Sequence, residues 1–262
     1  MNQIKIYQVD AFAEKVFTGN PAAVCPLYEW LPDEKMQSIA MENNLAETAF
    51  VNLNTYPYEL RWFTPMTEVD LCGHATLATS RVLFDEYLAK DEHEILFSSR
   101  SGILKSFKHH DKIFLDFPRD LPKPVKITKL INEALTLKPE GLFKGKDDYL
   151  AIFKSETVIK SIKPDFSKIS KLKCRGVIIS AVGDKVDFVS RFFAPQTGIN
   201  EDPVTGSAHT LLTPYWAKVL KKDTLLAYQC SERGGELSCK LMPQRVEIGG
   251  KSKFYLKGTI SI

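Results

Sequence analysis

Three short segments carry side chains able to move a proton or grip an anion. In Asn44-Leu45-Ala46-Glu47-Thr48-Ala49-Phe50, Glu47 enters an apolar strand just after a helix. A carboxylate among apolar neighbours holds its proton to higher pH, as a proton shuttle requires. The same pattern also describes an exposed glutamate at a strand edge. In Cys72-Gly73-His74-Ala75-Thr76, a thiol, a glycine and an imidazole open an apolar helix, although a lone histidine such as His74 reads equally well as structural. In Glu201-Asp202-Pro203-Val204-Thr205-Gly206-Ser207, Asp202 stands before a proline suited to a first helical turn, so it also reads as a plain N-cap. The start of a helix offers unpaired N–H groups and a partial positive charge. Two such ends would hold a small carboxylate well, and Gly73 and Gly206, lacking Cβ, let a ligand approach the backbone.

The second and third segments belong to an internal repeat. Arg61-Trp62-Phe63-Thr64-Pro65 leads into the cysteine segment, and Arg191-Phe192-Phe193-Ala194-Pro195 leads into the aspartate segment, with the two arginines 130 residues apart. Held at 130, the offset sets Asp202 opposite Cys72. Aligning Gly206 with Gly73 requires an offset of 133, and Thr205 then faces Cys72. Sequence alone leaves both registers open. Each copy reads as a strand, a proline-containing loop and the start of an apolar helix, which suggests a duplicated half.

The elements around these segments are mostly strands. Alternating or β-forming runs fall at Ile4–Phe12, Ala22–Leu27, Thr48–Leu53, Tyr58–Phe63, Glu94–Phe97 and Lys112–Phe117. Others fall at Tyr149–Phe153, Gly176–Ser180, Asp187–Phe193, Glu236–Met242, Arg245–Ile248 and Phe254–Ile262. Helices are predicted at Pro32–Asn43, Gly73–Leu83 and Pro203–Leu220, with peripheral ones at Ile127–Leu135 and Pro164–Leu172. The lysine-rich stretch Lys144–Lys173 reads as a solvated face, and Gly141–Lys146, one residue short of a P-loop, as a surface turn. The mixture predicts an α+β protein. Its two halves would be 1–117 and 118–249, with a strand at about 250–262 able to return to the first.

Composition narrows the function. The 262 residues are 44% hydrophobic, enough for a sizeable core, and 35 Lys+Arg against 32 Asp+Glu leave a net charge of only +3. That balance argues against a nucleic-acid partner. No run reaches the roughly 18–20 apolar residues of a membrane span, so no membrane partner is expected. Five cysteines, odd in number and without CxxC, fit a reduced cytoplasmic setting. G-x-G, G-x-S-x-G and HExxH are all absent, so neither a nucleotide cofactor nor a metal is supported by any motif.

Read in order, Asp10-Ala11-Phe12, Gly19-Asn20-Pro21-Ala22-Ala23-Val24, Asn44-Leu45-Ala46-Glu47-Thr48, Cys72-Gly73-His74-Ala75-Thr76, Glu201-Asp202-Pro203-Val204-Thr205-Gly206-Ser207-Ala208 and Arg233-Gly234-Gly235 closely resemble the PhzF family of phenazine-biosynthesis-like proteins. The resemblance spans nearly the whole chain. It implies the diaminopimelate epimerase-like fold, two pseudo-symmetric halves each wrapping a sheet around a central helix, with the active site drawing on both. It also implies a cofactor-independent isomerase in which Glu47 moves a proton on a small carboxylate-bearing carbon acid. His74 and Asp202 would help hold and polarise that substrate, with Asn20, Gly73, Gly206 and Ser207 as contacts, and the protein would form a homodimer. The alternatives are an amino-acid epimerase or racemase pairing Cys72 with Asp202, and a binding protein that keeps the site without chemistry.

Overall fold

The computed structural model describes residues 3–262, and these divide into two compact units. The first comprises residues up to Asp116 together with Gly249–Ile262, and the second runs from Phe117 to Ile248.

The first unit begins with strands β1 (Gln3–Ala11) and β2 (Asn20–Leu27), helix α1 (Asp33–Asn43), and strands β3 (Glu47–Asn52), β4 (Tyr58–Phe63) and β5 (Glu68–Val69). Helix α2 (Gly73–Glu86) and strands β6 (Glu94–Ser99), β7 (Gly102–His109) and β8 (Lys112–Pro118) complete its first pass. The second unit contributes β9 (Lys123–Pro124), α3 (Lys129–Leu135), β10 (Gly141–Lys144), β11 (Tyr149–Ile152), α4 (Glu156–Ser161), α5 (Phe166–Ile169), β12 (Val177–Val182) and β13 (Phe188–Ala194). A 3-10 turn at Pro195–Thr197 leads to β14 (Ile199–Glu201), α6 (His209–Leu220), β15 (Thr224–Gln229), β16 (Gly235–Leu241) and β17 (Arg245–Gly250). The last strand, β18 (Ser252–Ser261), pairs antiparallel with β1 in the first unit.

The two units repeat one topology. In the first, β2 runs parallel to β3, β3 antiparallel to β4, β4 antiparallel to β5 and parallel to β6, and β6 antiparallel to β7. In the second, β11, β12, β13, β14, β15 and β16 take those same relations in the same order. Both units also bury one helix. α2 packs against β1, β2, β3 and β18, and it is buried almost all round, which a mostly apolar helix requires. Its hydroxyls remain satisfied, because Thr76, Thr79 and Ser80 each donate to the carbonyl four residues back. α6 packs against β15 and β16. Pro214 lies inside α6 and cannot donate to Thr210, and that carbonyl accepts instead from the Asp120 amide at 3.1 Å.

The structure also fixes the register that sequence left open. Arg61 on β4 grips Glu68 through two nitrogens and lies over the Phe63 ring, and Arg191 on β13 does the same with Glu201 and Phe193. Phe63 pairs with Glu68, and Phe193 with Glu201. The arginines are 130 residues apart and the glutamates 133, so the second unit has three extra residues in the loop that holds the 3-10 turn. Thr205 is therefore the counterpart of Cys72, Gly206 of Gly73, and Ser207 of His74. A further match follows from this register. Thr76 donates to the Cys72 carbonyl, and His209 lies against the Thr205 carbonyl in the same i to i−4 relation.

Several expectations need correction. α6 begins at His209, not at Pro203. Gly141–Lys144 is strand β10 rather than a surface turn. Lys144–Lys173 is not simply a solvated face, since Leu150, Ile152, Phe153, Ile159, Ile162 and Ile169 within it are buried. Much of this segment forms the second unit's core with Val177, Ile179, Val189 and Phe193. The interleaved lysines hide a strand and short-helix pattern that buries one residue in every two to four.

One conserved-looking motif has a backbone cause. Gly19 has φ +71°, and a Cβ there would lie 2.1 Å from the Ala11 carbonyl oxygen. Gly19→Ala is expected to cost at least about 2 kcal/mol, because both the left-handed conformation and the clash penalise it. Urea unfolding measures that loss, and a change under about 0.5 kcal/mol would show that the loop relaxes freely.

Candidate active site

Glu47 reaches its position through a chain of local causes. Asn44 ends α1 in the left-handed conformation (φ 50°, ψ 34°), a place that asparagine tolerates better than most residues. Three residues later Glu47 starts β3 opposite Ala22 of β2. The Asn43 side chain donates to the Thr48 hydroxyl at 3.0 Å and ties the helix end to the strand. Side chains alternate along a strand, and Phe50 packs with Met36 and Ile39 beneath α1. Glu47 is on the opposite face, with α2.

There its carboxylate meets His74. Glu47 Oε2 and His74 Nε2 are 3.1 Å apart, with side-chain exposures of 14% and 8%. The pair is held at ion-pair distance. On the other side of the ring, Nδ1 lies 3.5 Å from Cys72 Sγ. Burial alone would lower the His74 pKa, but the neighbouring sulfur and the Glu47 carboxylate outweigh it and hold the pKa well above 6.5. Burial and the Glu47 charge push the Cys72 thiol up. Glu47, Cys72 and His74 are close enough to be considered for a metal ion. The imidazole, however, stands between the other two with one nitrogen toward each, a relay rather than a cage.

Gly73 begins α2 beside this pair, and the Ala75 amide of the first turn is directed at the Cys72 sulfur. Asn20 is fully buried at the start of β2, two residues before the Ala22 that pairs with Glu47.

In the second unit Asp202, Gly206 and Ser207 fall within one loop ahead of α6. Asp202 is not the N-cap that its proline neighbour suggests. The amide a capping Asp202 would take, that of Thr205, donates to Gln229 Oε1 at 2.9 Å. The Asp202 carboxylate instead receives the Thr205 hydroxyl, and Gln229 Nε2 donates to the Asp202 carbonyl at 2.7 Å. Gln229 is fully buried and closes the loop from within. The Ser207 hydroxyl accepts from Arg175 Nη1 at 2.9 Å.

The two halves thus present different chemistry at matched places, an acid–imidazole pair in one and a carboxylate with hydroxyls in the other. Residues 9–258 match the family model for phenazine biosynthesis-like proteins. The chain belongs to the PhzC–PhzF family. Among its relatives, an uncharacterised isomerase of Pseudomonas aeruginosa is 49% identical over 261 residues, 99% of this chain and 100% of that one. The crystal structure of a PhzF-family phenazine biosynthesis protein from Enterococcus faecalis superposes with a TM-score of 0.97 at 49% identity, covering 100% of both chains. A hydroxyproline epimerase from Agrobacterium vitis shares the fold at a TM-score of 0.62 and 8% identity, over 98% of this chain and 92% of that one. The α+β, diaminopimelate epimerase-like fold expected from the motifs is the fold of this PhzF-family chain.

Gln229 and Arg175 were missed in the sequence. Gln229 is 27 residues from Asp202 and has no motif. Arg175 could have been found, because β12 is the counterpart of β3 and Arg175 precedes β12 as the Asn44-Leu45-Ala46 run precedes β3. Among the described residues, no helix is long and apolar enough to cross a membrane.

Proposed function

We propose that this PhzF-family chain is an isomerase that moves a proton on a small carbon acid bearing a carboxylate, with Glu47 as base and then acid. The observation that carries this reading is the Glu47–His74 pair, 3.1 Å apart and largely shielded from solvent. The names of relatives such as the Pseudomonas isomerase support the isomerase class.

The proposed step balances as follows. Glu47 takes a proton from carbon and becomes neutral, and the electron pair stays on the substrate. His74, whose pKa is held above its usual value, and the N–H groups at the start of α2 stabilise the negative charge that develops. The Glu47 carboxylic acid then returns the proton to a different carbon. In the second unit, Gly206 and Ser207 are proposed as carboxylate donors and Asp202 as a ligand contact. None of this requires Cys72 to ionise.

A screen of carbon acids in D2O, read by mass spectrometry, tests the reading. It requires deuterium incorporation that Cys72→Ser leaves within about threefold of the wild-type rate, since a buried neutral thiol is no base. Loss of exchange in Cys72→Ser, with Glu47→Gln active, would favour the Cys72/Asp202 epimerase instead. No exchange with any compound would leave a binding protein.

A further inference from the structure

Glu47 and Arg175 lie one place apart in the repeat, since Thr48 faces Phe63 as Val177 faces Phe193. Glu47 reaches His74, and Arg175 reaches Ser207, the counterpart of His74. One half therefore sets an acid against the residue after Gly73, and the other half sets a guanidinium against the residue after Gly206.

The guanidinium is held rigidly. Its Nε donates to Asp148 Oδ1 at 3.0 Å and its Nη2 donates to Asp148 Oδ2. Asp148 is nearly buried, with a side-chain exposure of 6%. The guanidinium also lies over the Phe192 ring, 5.3 Å from its centroid. That ring packs against the chain at Gly176, where a Cβ would lie 2.4 Å from it. An arginine has five N–H groups. Two go to Asp148 and one to Ser207, which leaves one on each Nη, on a side chain that is 37% exposed. Because Nη1 donates to the Ser207 oxygen, the hydroxyl proton must point elsewhere. Its O–H stays available to donate to a ligand.

We propose that Arg175 is a specificity-determining residue that reads a ligand carboxylate, through its two remaining N–H groups and through the Ser207 hydroxyl that it orients. The assignment rests on the proposed carboxylate-bearing substrate, but it concerns binding and needs no proton transfer. The bidentate Asp148 contact neutralises Arg175 overall, so recognition comes from aimed donors more than from net charge. A purely structural Arg175, stapling Asp148 to the loop before α6, would show no preference among ligands.

The test uses benzoate and benzamide as probes, with the Nε–H signal of Arg175 and the amide signal of Ser207 followed by 15N NMR in the full chain. Benzoate is expected to shift both signals saturably, and benzamide to shift neither. Ser207→Ala, which leaves the Arg175–Asp148 pair intact, is expected to weaken benzoate by about tenfold, the scale of one charge-assisted hydrogen bond. Arg175→Lys is expected to weaken it similarly, because an ammonium cannot hold Asp148 bidentately and still reach Ser207. Where Arg175→Lys fails to fold, Ser207→Ala decides. Unmoved Arg175 and Ser207 signals, or equal shifts with benzamide, would overturn the inference. The benzoate shifts are read without turnover, so failure of the isomerase reading alone leaves this result intact.

Discussion

Glu47→Gln is expected to slow proton exchange at carbon by about 10²–10⁴-fold, the range general acid–base groups contribute. Glutamine keeps the size of the side chain and can still lie beside His74, but it can neither accept nor return a proton. The substitution also removes one of the two neighbours, the Cys72 sulfur and the Glu47 carboxylate, that raise the His74 pKa, so that pKa is expected to fall. Two measurements check this pair of effects on one variant: deuterium exchange rate, and the His74 ring signals titrated by NMR. An exchange rate within threefold of the wild type would remove Glu47 as the base. An unchanged His74 titration would show that the 3.1 Å contact does not couple the two groups.

The second large effect is on stability and comes from His209. This ring is fully buried on the first turn of α6, and burial lowers its pKa to about 4. Nδ1 lies 2.9 Å from the Thr205 carbonyl, which requires the proton to sit on Nδ1. Nε2 has no partner among the described residues and faces an apolar surround that includes Phe188. Protonating it would bury an unpaired charge. An unfolded chain protonates this histidine near pH 6.5, whereas the folded one resists to about pH 4. The unfolded state thus binds more protons in that interval. The stabilisation is complete above pH 6.5 and is lost as pH falls toward 4, a loss of about 3 kcal/mol. Urea unfolding at pH 7 and at pH 4.5 is expected to show most of that difference in the wild type. His209→Gln, whose amide can still donate to Thr205, is expected to flatten it. Equal pH slopes in the two proteins would locate the acid sensitivity elsewhere.

His209 also connects the stability and the site. The carbonyl it engages belongs to Thr205, whose amide is held by Gln229 and whose hydroxyl reaches Asp202. Acid loosening of α6 is thus expected to reach the loop that carries Asp202, Gly206 and Ser207.

How far the sequence reached can be argued from particular residues. Glu47 could be singled out because its surroundings are local: α1, Asn44 and the first residues of β3 lie within one short stretch, and the chain turns there for reasons written in adjacent residues. Gly73 and His74 were legible for the same reason. Most strands were placed within a few residues, since period-two burial depends only on neighbours along the chain. The duplication was visible as well, because Arg61 and Arg191 each anchor a recognisable run.

Contacts distant in sequence decided the remainder. The start of α6 moved from Pro203 to His209 because Gln229, on a later strand, takes the Thr205 amide that would have capped a longer helix. The register between the halves was settled by Glu68 and Glu201, whose bidentate bonds to arginine show where three residues were inserted. Arg175 gained its meaning only when Asp148 and Ser207 were brought to its two sides. Residue type and spacing fix which groups can exchange protons, because acid–base character and local turns are properties of short stretches. Which of those groups meet, with what charge and in which register, is set by packing between strands and helices far apart in the chain.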